Sequence, residues 1–367
     1  MSPGKIEISP TVTVTDHDDL SRVYTPGVAE EVRRAADDDS AVPEVTGLGN
    51  RIFIATDGSA ILGLGDVGPR AGLPVMEGKS ALFKHLAGVD AWPLPLRSRD
   101  VDDLVHTIAD VAVGVSGINL EDVAAPRCFE LVARLQEELD VPVFHDDQHG
   151  TAIVVLAALR NALRVVDKEL KDVSVVISGA GAAGSAVTRL LLDQGVRRIT
   201  VCDSRGVLRP GRDLAGEKAW LAAHTSPRGD VDDLAQALDG ADVFIGVSAP
   251  GIVDASMLSA MQDGAIAFGL ANPDPEFDPA EARRHATVVA TGRSDMPNQI
   301  NNVLAFPGVF RGMLDAGIRR VEAPLLAAAA DAIAALVDQP APDAIVPDVL
   351  DERLVGAVAA AVAGCGR

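Results

Sequence analysis

Cysteine and aromatic residues are scarce in this chain of 367 residues, which has three cysteines, one tyrosine and 3% aromatic residues in all. Cys128, Cys202 and Cys365 lie far apart and lack metal-ligand spacing, which argues against a disulfide framework or a cysteine metal site. The start, MSPGKIEISP, lacks the basic and then apolar pattern of a signal peptide, and no apolar run approaches the length of a membrane span. We therefore predict a cytoplasmic protein that has no membrane partner.

Positive charge is also in short supply. Lys and Arg number 32 against 53 Asp and Glu, so the formal net charge is −21 and the pI about 4.6. Long-range repulsion then argues against nucleic acid and anionic membranes as partners, and an anionic substrate would need local positive charge or a metal ion. The 48% share of hydrophobic residues suffices for two domains, which we predict at residues 1–150 and 151–367.

The second half contains a complete dinucleotide-binding pattern. A strand-like run at residues 173–178 leads into a glycine-rich loop and an apolar helix, and the next strand ends at Asp203. Its glycines permit a tight turn, close approach of a pyrophosphate and close helix packing, while Asp203 accepts from a ribose hydroxyl. Asp203 favours NAD by repelling a 2′-phosphate, yet nearby Arg205 favours NADP, so both cofactors stay open. The loop residues are Gly179, Ala180, Gly181, Ala182, Ala183 and Gly184.

Further strand-like runs at residues 242–247, 265–271 and 287–291 alternate with predicted helices, as in a doubly wound Rossmann-type sheet. We predict a helix at residues 255–261 with Asp254 as its N-cap.

The first half reads as a smaller α/β domain. Residues 51–66 predict a β-hairpin around an Asp-Gly turn. Helices are predicted at residues 28–36, 101–112 and 128–139, of which 101–112 is amphipathic, and strands at residues 113–120 and 141–144. A long apolar helix at residues 152–166 closes this half.

Carboxylates follow two neighbouring strands of this first half. Glu121 and Asp122 come after one strand, and Asp146 and Asp147 after the next. A right-handed crossover would set the two strand ends side by side, so three or four carboxylates would converge. Because their charge needs neutralising, we predict an oxygen-rich Mg²⁺ or Mn²⁺ site.

Four other polar residues have competing interpretations. His145 and His149 sit within the acidic stretch, but a core or surface role is favoured over metal ligation. Lys79 is predicted near the start of a helix, where the dipole would lower its pKa and suit it to act as a base; the alternative is a solvated lysine. Tyr24 is either a catalytic phenol or an ordinary packed or surface one. The turn at Pro26 and Gly27 predicts backbone N–H groups free to bind an anion.

Several of these stretches together resemble the malic enzymes in their short bacterial form. The resemblance runs in the same order along nearly the whole chain. It rests on YTPGVA at residues 24–29, TDG at 56–58, LGLGD at 62–66, EGK at 77–79, NLED at 119–122, FHDDQHGTA at 144–152, the glycine-rich loop, and NQINN at 298–302.

This resemblance implies an enzyme that oxidatively decarboxylates (S)-malate to pyruvate and CO₂, reduces NAD or NADP, requires Mg²⁺ or Mn²⁺, and forms a homodimer or higher homo-oligomer. Lys79 would be the general base and Tyr24 the acid that protonates enolpyruvate. Asp146 would be catalytic beside a metal held by Glu121, Asp122 and Asp147. Asn272 and Asn302 would bind malate.

One feature departs from the larger relatives, which place a malate-binding arginine where this chain has Ser59, Ala60 and Ile61. Arg70, or backbone groups at residues 25–28, would then bind the C4 carboxylate. Two other functions compete: an amino-acid dehydrogenase, which leaves the acidic cluster unexplained, and a nucleotide-sensing module without catalysis, which would lack Lys79, Tyr24 or a metal ligand.

Overall fold

Two separate sheets form the frame of the molecule in a computed structural model, which describes residues 4–61, 63–227 and 229–366. The first sheet has the order β2-β1-β3-β4, and all its pairings are parallel. Its strands are Arg51–Thr56 (β1), Asp90–Pro95 (β2), Ile118–Leu120 (β3) and Val143–His145 (β4).

Helices surround and precede this first sheet. They are His17–Val23 (α1), Val28–Asp37 (α2), Val42–Val45 (α3), Leu73–Ala87 (α4), Val101–Ala112 (α5) and Arg127–Glu138 (α6). Short 3₁₀ turns occur at Asp39–Ala41 and Leu48–Asn50. Helix α5 has the bounds that its apolar periodicity predicts, and Asp100 caps its start by accepting from the N–H groups of Asp102 and Asp103.

The predicted β-hairpin after Arg51 is wrong. Strand β1 pairs in parallel with β2 on one side and β3 on the other, and beyond it only an isolated bridge joins Ile61 to Gly65. Asp57 does not serve as an exposed turn residue because it is fully buried and paired with arginine. Strand β2 was not predicted, since its prolines, Pro93 and Pro95, suit only an edge position.

The second sheet has the order β10-β9-β8-β5-β6-β7, parallel except for the final short β7. Its order reverses between β5 and β8, which makes the cleft above their carboxyl ends the expected ligand site. The strands are Ser174–Ser178 (β5), Arg198–Asp203 (β6), Gly206–Val207 (β7), Val243–Gly246 (β8), Ile266–Gly269 (β9) and Val288–Thr291 (β10).

The remaining helices cover this sheet and connect it to the first. They are Thr151–Val166 (α7), Ala182–Asp193 (α8), Gly216–His224 (α9), Leu234–Leu238 (α10), Ala255–Ser259 (α11), Pro279–His285 (α12), Phe306–Ala316 (α13), Ala323–Ala335 (α14) and Leu354–Gly364 (α15), with a 3₁₀ turn at Asn302–Leu304. Asp254 caps α11 as predicted, by accepting from the N–H of Met257.

A π-helical turn, Asp146–Gly150, joins β4 directly to α7. This turn and α7 together form one apolar helix from Asp146 to Val166. By length and composition alone this helix could cross a membrane, contrary to the expectation that no run would reach that length. However, 67% of its most apolar window is buried inside the protein. A helix that is buried on most of its faces needs the same apolar composition as a membrane span.

An aromatic cluster joins the C-terminal helices to the first sheet. The ring of Phe83 on α4 lies 4.7 Å from that of Phe306 and 5.3 Å from that of Phe310, both on α13, and Phe310 also contacts Phe144 on β4 at 5.6 Å. All four side chains are fully buried. The core therefore runs continuously between the two sheets and holds α4 against the end of β4.

Candidate functional site

A buried lysine lies between two carboxylates at the carboxyl edge of the first sheet. Nζ of Lys79 on α4 is 2.7 Å from Oε2 of Glu121 and 2.5 Å from Oδ2 of Asp146. The ammonium group also lies 4.3 Å from the centre of the Phe306 ring, in cation–π contact. Only 8% of Lys79 is exposed. The solvated-lysine interpretation is therefore wrong.

Strand register brings the carboxylates together. Leu120 on β3 pairs with His145 on β4, so the residues that follow, Glu121 and Asp146, leave the sheet at the same edge. The crossover through α6 connects the two strands in parallel. Three chain segments that are distant in sequence thus meet around Lys79.

The pKa of Lys79 is raised, not lowered as the sequence predicted. Burial alone would lower this pKa, but the charges of Asp146 and then Glu121 outweigh it. The helix-dipole argument fails as well, because α4 begins at Leu73 and Lys79 lies well beyond its first turn. Lys79 is therefore held as a cation.

The acidic residues are crowded enough to disturb one another. Burial, together with the charges of Asp146, Asp147 and Asp122, raises the pKa of Glu121 well above its usual value despite Lys79. Burial and then Asp146 raise the pKa of Asp147 to about 6. Oδ2 of Asp147 accepts a hydrogen bond of 3.1 Å from the N–H of Asp122. Such a cluster has more negative charge than one lysine neutralises.

A divalent cation suits this cluster by its chemistry. Asp146 Oδ1 is buried and has no hydrogen-bond partner within the described ranges. Carboxylate oxygens of this kind are what Mg²⁺ and Mn²⁺ prefer. In the described part of the chain, however, no three His, Cys, Asp or Glu side chains are already arranged around a common metal position.

A hydroxyl group braces the loop that carries Asp122. Ser59 Oγ donates to the buried Asp57 at 2.6 Å and accepts from Ala124 N at 2.8 Å and from Arg127 Nη2 at 3.0 Å. Arg127 also binds Asp57 through Nη2 at 2.7 Å. Asp122 itself has a left-handed φ of 54°, a conformation that an aspartate adopts at a cost unless it is held.

Both histidines of the acidic stretch are neutral; His145 is fully buried and His149 is half-buried. Burial is the main reason that the pKa of His145 falls to about 4 and that of His149 to about 3. His149 Nδ1 accepts the N–H of His145 at 3.0 Å, and its ring packs on Phe144 at 5.2 Å. His149 therefore stabilises the turn that carries the acids, in agreement with the predicted core or surface role.

Of the two asparagines predicted to bind substrate, only one contacts the Lys79 cluster. Asn302 Nδ2 donates to Asp146 Oδ2 at 3.1 Å and to Thr151 Oγ1 at 3.2 Å. Asn272 is exposed in the loop after β9, beside Gly63 of the loop that follows β1. The two asparagines lie on different segments, and their substrate-binding role stays a prediction.

Tyr24 is not part of the cluster within this chain. It is 68% exposed at the end of α1, and within the described ranges its hydroxyl makes no hydrogen bond. The predicted anion site beside it is wrong, because Gly27 N donates to Ser21 O and Val28 N to Tyr24 O. Those N–H groups are occupied by the turn itself.

A second site lies over the carboxyl ends of β5, β6 and β8. It is a cleft of about 840 Å³ lined by the glycine-rich loop, Asp203, Lys218 and Ser248. A methyl group on Gly184 would lie 1.8 Å from Gly179 O, and Gly179 has a φ of 120°. Both positions therefore require glycine, and they let α8 start close to the cleft floor.

Two cations hold the acidic residue of this cleft. Asp203 receives Arg212 Nη2 at 2.9 Å and Lys218 Nζ at 2.8 Å, while Arg205 contributes only its backbone N–H at 2.9 Å. Burial would raise the pKa of Asp203, but Lys218 and the other donors lower it to about 2. The positive charge beside Asp203 therefore comes from Arg212 and Lys218, not from the Arg205 side chain.

The sequence comparisons agree with this two-part architecture. The profile of the malic enzyme N-terminal domain matches residues 3–136, and that of the malic enzyme NAD-binding domain matches residues 148–365. The chain belongs to the malic enzyme family. The malic enzyme fold thus accounts for the first sheet with its Lys79 cluster and for the second sheet with its dinucleotide cleft.

Individual malic enzymes are similar over almost the full chain. The NAD-dependent malic enzyme of Geobacillus stearothermophilus is 49% identical, across 98% of this chain and 76% of that protein. The bifunctional malic/malolactic enzyme of Bacillus subtilis is 47% identical, across 99% and 90%. The crystal structure of NAD-dependent malic enzyme from Thermotoga maritima superposes with a TM-score of 0.95 at 42% identity, covering 98% of this chain and 96% of that one.

Sequence reasoning missed several residues of both candidate sites. Asn119 donates to Glu121 Oε2 at 3.0 Å, and Thr151 contacts Asn302. Both are uncharged and sit inside predicted elements, so no local signal marks them. Lys218 lies on helix α9, fifteen residues beyond Asp203 at the end of strand β6, and only the fold brings the two together.

Proposed function

We propose that the protein oxidatively decarboxylates (S)-malate to pyruvate and CO₂, with reduction of NAD or NADP and with Mg²⁺ or Mn²⁺ bound. The observation that carries the proposal is the buried Lys79, paired with Glu121 and Asp146 in a chain that also has a dinucleotide cleft. Relatives named NAD-dependent and NADP-dependent malic enzyme, at 49% and 44% identity, support it.

Glu121, Asp122 and Asp147 would hold the divalent cation. When bound, the cation supplies Lewis acidity to the substrate's oxygens and the nicotinamide supplies a hydride acceptor. The crowded carboxylates support this assignment, since burial and mutual repulsion raise the pKa values of Glu121 and Asp147. Lys79 offsets part of that repulsion before any substrate arrives.

Lys79 would take the proton of the C2 hydroxyl group of malate. To act as a base, the ammonium must first lose a proton, and Asp146 Oδ2, at 2.5 Å, is the nearest acceptor. Asn302 donates to the same oxygen and orients it. We therefore assign Asp146 as the group that receives the Lys79 proton, a transfer over one hydrogen bond.

Tyr24 would protonate C3 of enolpyruvate in the site of a second copy of the chain, within a homodimer or larger homo-oligomer. Helices α1 and α2 have no buried residues, although α2 carries one apolar face. Exposed apolar side chains accompany Tyr24 along this segment: Ile6, Ile8, Val12, Val14, Leu20 and Val32. A surface of this kind is typical of a subunit interface.

We also propose a cytoplasmic location, consistent with the buried free thiols of Cys128 and Cys202.

The cofactor preference that the cleft supports is broad. Asp203 can accept from a ribose hydroxyl, while Arg212 and Lys218 supply positive charge that a 2′-phosphate requires. We propose that both NAD and NADP bind.

An absorbance assay at 340 nm tests the proposed function. The purified protein should form NADH or NADPH from (S)-malate only when Mn²⁺ or Mg²⁺ is present, and pyruvate should accumulate in equal amount. An amino acid such as glutamate or alanine, offered without metal, should give no signal. Folded protein that leaves malate unchanged with both cofactors and Mn²⁺ would refute the proposal.

A further inference from the structure

A carboxylate without a cation is buried behind the dinucleotide cleft. Glu276 is 0% exposed, and within the described ranges no Lys, Arg or His lies within ion-pair distance of it. Its Oε1 accepts the N–H of Ser248 at 2.8 Å, and its Oε2 accepts the N–H of Ala271 at 3.0 Å. Burial raises the pKa of Glu276, although the hydrogen bonds from the N–H groups of Ser248 and Ala271 act to lower it.

Room for this side chain is created by the sheet. A methyl group on Gly246, the last residue of β8, would lie 2.4 Å from Glu276 Cδ. Gly246 pairs with Gly269 at the end of β9, so the loops that leave these two strands start side by side. The carboxylate lies over this glycine and reaches both loops.

Each of the two loops leads to a different part of the proposed active site. Ser248 lines the dinucleotide cleft and its Oγ lies 3.0 Å from Oγ of Ser178 on β5. Ala271 directly precedes Asn272, which is predicted to bind malate. The backbone adds two further ties, from Gly251 N to Pro275 O and from Val253 N to Glu276 O.

We infer that Glu276 is a positioning residue that couples the cofactor loop at Ser248 to the substrate loop at Asn272. Burying a carboxylate without a cation is unfavourable, and a neutral side chain of similar shape would avoid that cost. Only a carboxylate, however, offers two acceptor oxygens and no donor, so it alone satisfies both N–H groups at once. Only the part of this inference that concerns malate binding rests on the proposed function.

Glu276→Gln tests this inference, because the amide keeps the shape but turns one acceptor into a donor that faces an N–H. Losing one charge-assisted hydrogen bond should weaken NADH binding, followed by fluorescence, and raise the KM for malate, each about tenfold. The matched control is Glu281→Gln on α12, whose carboxylate binds Arg284 and His285 away from the cleft. It should leave both values unchanged.

The pattern of changes separates coupling from simple support of the fold. A Glu276→Gln protein that melts at a lower temperature but keeps its NADH affinity and malate KM would overturn the inference. The NADH measurement needs no turnover, so it still decides about Glu276 if malate proves not to be the substrate.

Hydrogen exchange on the unmodified protein provides a test that does not depend on the variant folding. The N–H groups of Ser248 and Ala271 should exchange slowly, and NADH should slow exchange in residues 270–276 as well as in residues 247–254. NADH that protects only residues 247–254 would show that the two loops are not coupled and would refute the inference.

Discussion

Asp147 shows how a single carboxylate near Lys79 is placed by its surroundings. It follows β4 within the π-helical turn, accepts the N–H of Asp122, and has a pKa raised to about 6 by burial and then by Asp146. A group that is destabilised as an anion gains when a cation binds it. Its contribution to metal binding should therefore be large.

Asp147→Asn should weaken Mn²⁺ binding at least about tenfold, because it removes one anionic ligand from the proposed site. Electron paramagnetic resonance titration of free Mn²⁺ measures this in the absence of substrate. Asp110→Asn, an exposed aspartate on α5, is the control. Equal Mn²⁺ affinity in the wild-type, Asp147→Asn and Asp110→Asn proteins would contradict the assignment of Asp147 as a ligand.

A second side chain, Lys218, sets the charge next to Asp203 in the dinucleotide cleft. Its ammonium group neutralises Asp203 from the first turn of α9. Lys218→Gln should weaken the binding of 2′,5′-ADP about tenfold, since a phosphate loses its cation and meets a less neutralised Asp203. Binding of 5′-AMP should change little. Calorimetric titration measures both, with exposed Lys171→Gln as the control, and an unchanged preference would exclude Lys218 as a determinant.

Elements differ in how far local sequence determines them. Helix α5 and the cap of α11 follow from apolar spacing and a capping aspartate, so both were predicted correctly. The strand predicted at residues 113–120 shortens to Ile118–Leu120, because Val113 is exposed and Gly114 lies in a turn. Whether an apolar run joins a ladder depends on a neighbouring strand, which the run itself does not specify.

The loop between β3 and α6 is stabilised by contacts from a distant part of the chain. Ser59 fastens it by accepting from Ala124 N, and Ser59 and Ala60 both donate their N–H groups to Asp122 O. This contact connects the segment after β1 to the segment after β3. It explains why Asp122 can keep a left-handed φ.

Ser59→Ala should destabilise the protein by about 1–3 kcal/mol, because Ala124 N–H and Asp57 each lose a largely buried partner. The same change should lower Mn²⁺ affinity, since Asp122 is less firmly held. Thermal unfolding and Mn²⁺ titration measure the two effects. Ser259→Ala, at an exposed serine on α11, should alter neither. Loss of stability with unchanged Mn²⁺ affinity would show that Ser59 does not support the metal site.

For the whole molecule, the main question is where Tyr24 acts. Its exposed position, together with the exposed apolar residues of α1 and α2, supports a shared site between two copies. A Tyr24→Phe chain and a Lys79→Met chain should each be inactive alone. When coexpressed, they should regain about a quarter of the wild-type activity, because half of the dimers are mixed and each has one intact site.

Purification through two different tags isolates the mixed dimer for this measurement. Absence of any recovered activity in that dimer would place Tyr24 and Lys79 in the same subunit's site. Analytical ultracentrifugation of the wild-type protein tests the homo-oligomer itself, and a monomer at assay concentrations would contradict the shared site.

Local sequence was sufficient for the class of fold, the dinucleotide loop and the acidic residues at two strand ends. These depend on the spacing of apolar residues and on the backbone needs of glycine, which are properties of short segments. The motifs also sufficed to identify the family, since they occur in the same order along the chain.

Tertiary structure alone decided the chemistry of those residues. Lys79 has a raised pKa because Asp146 and Glu121 reach it from the ends of two separate strands, and Asp203 at the end of β6 is neutralised by Lys218 on helix α9. Residues 51–66 do not form a hairpin because β1 has neighbours on both sides. Electrostatic interactions and strand pairing act between segments that are distant in sequence, so no single stretch of this chain contains that information.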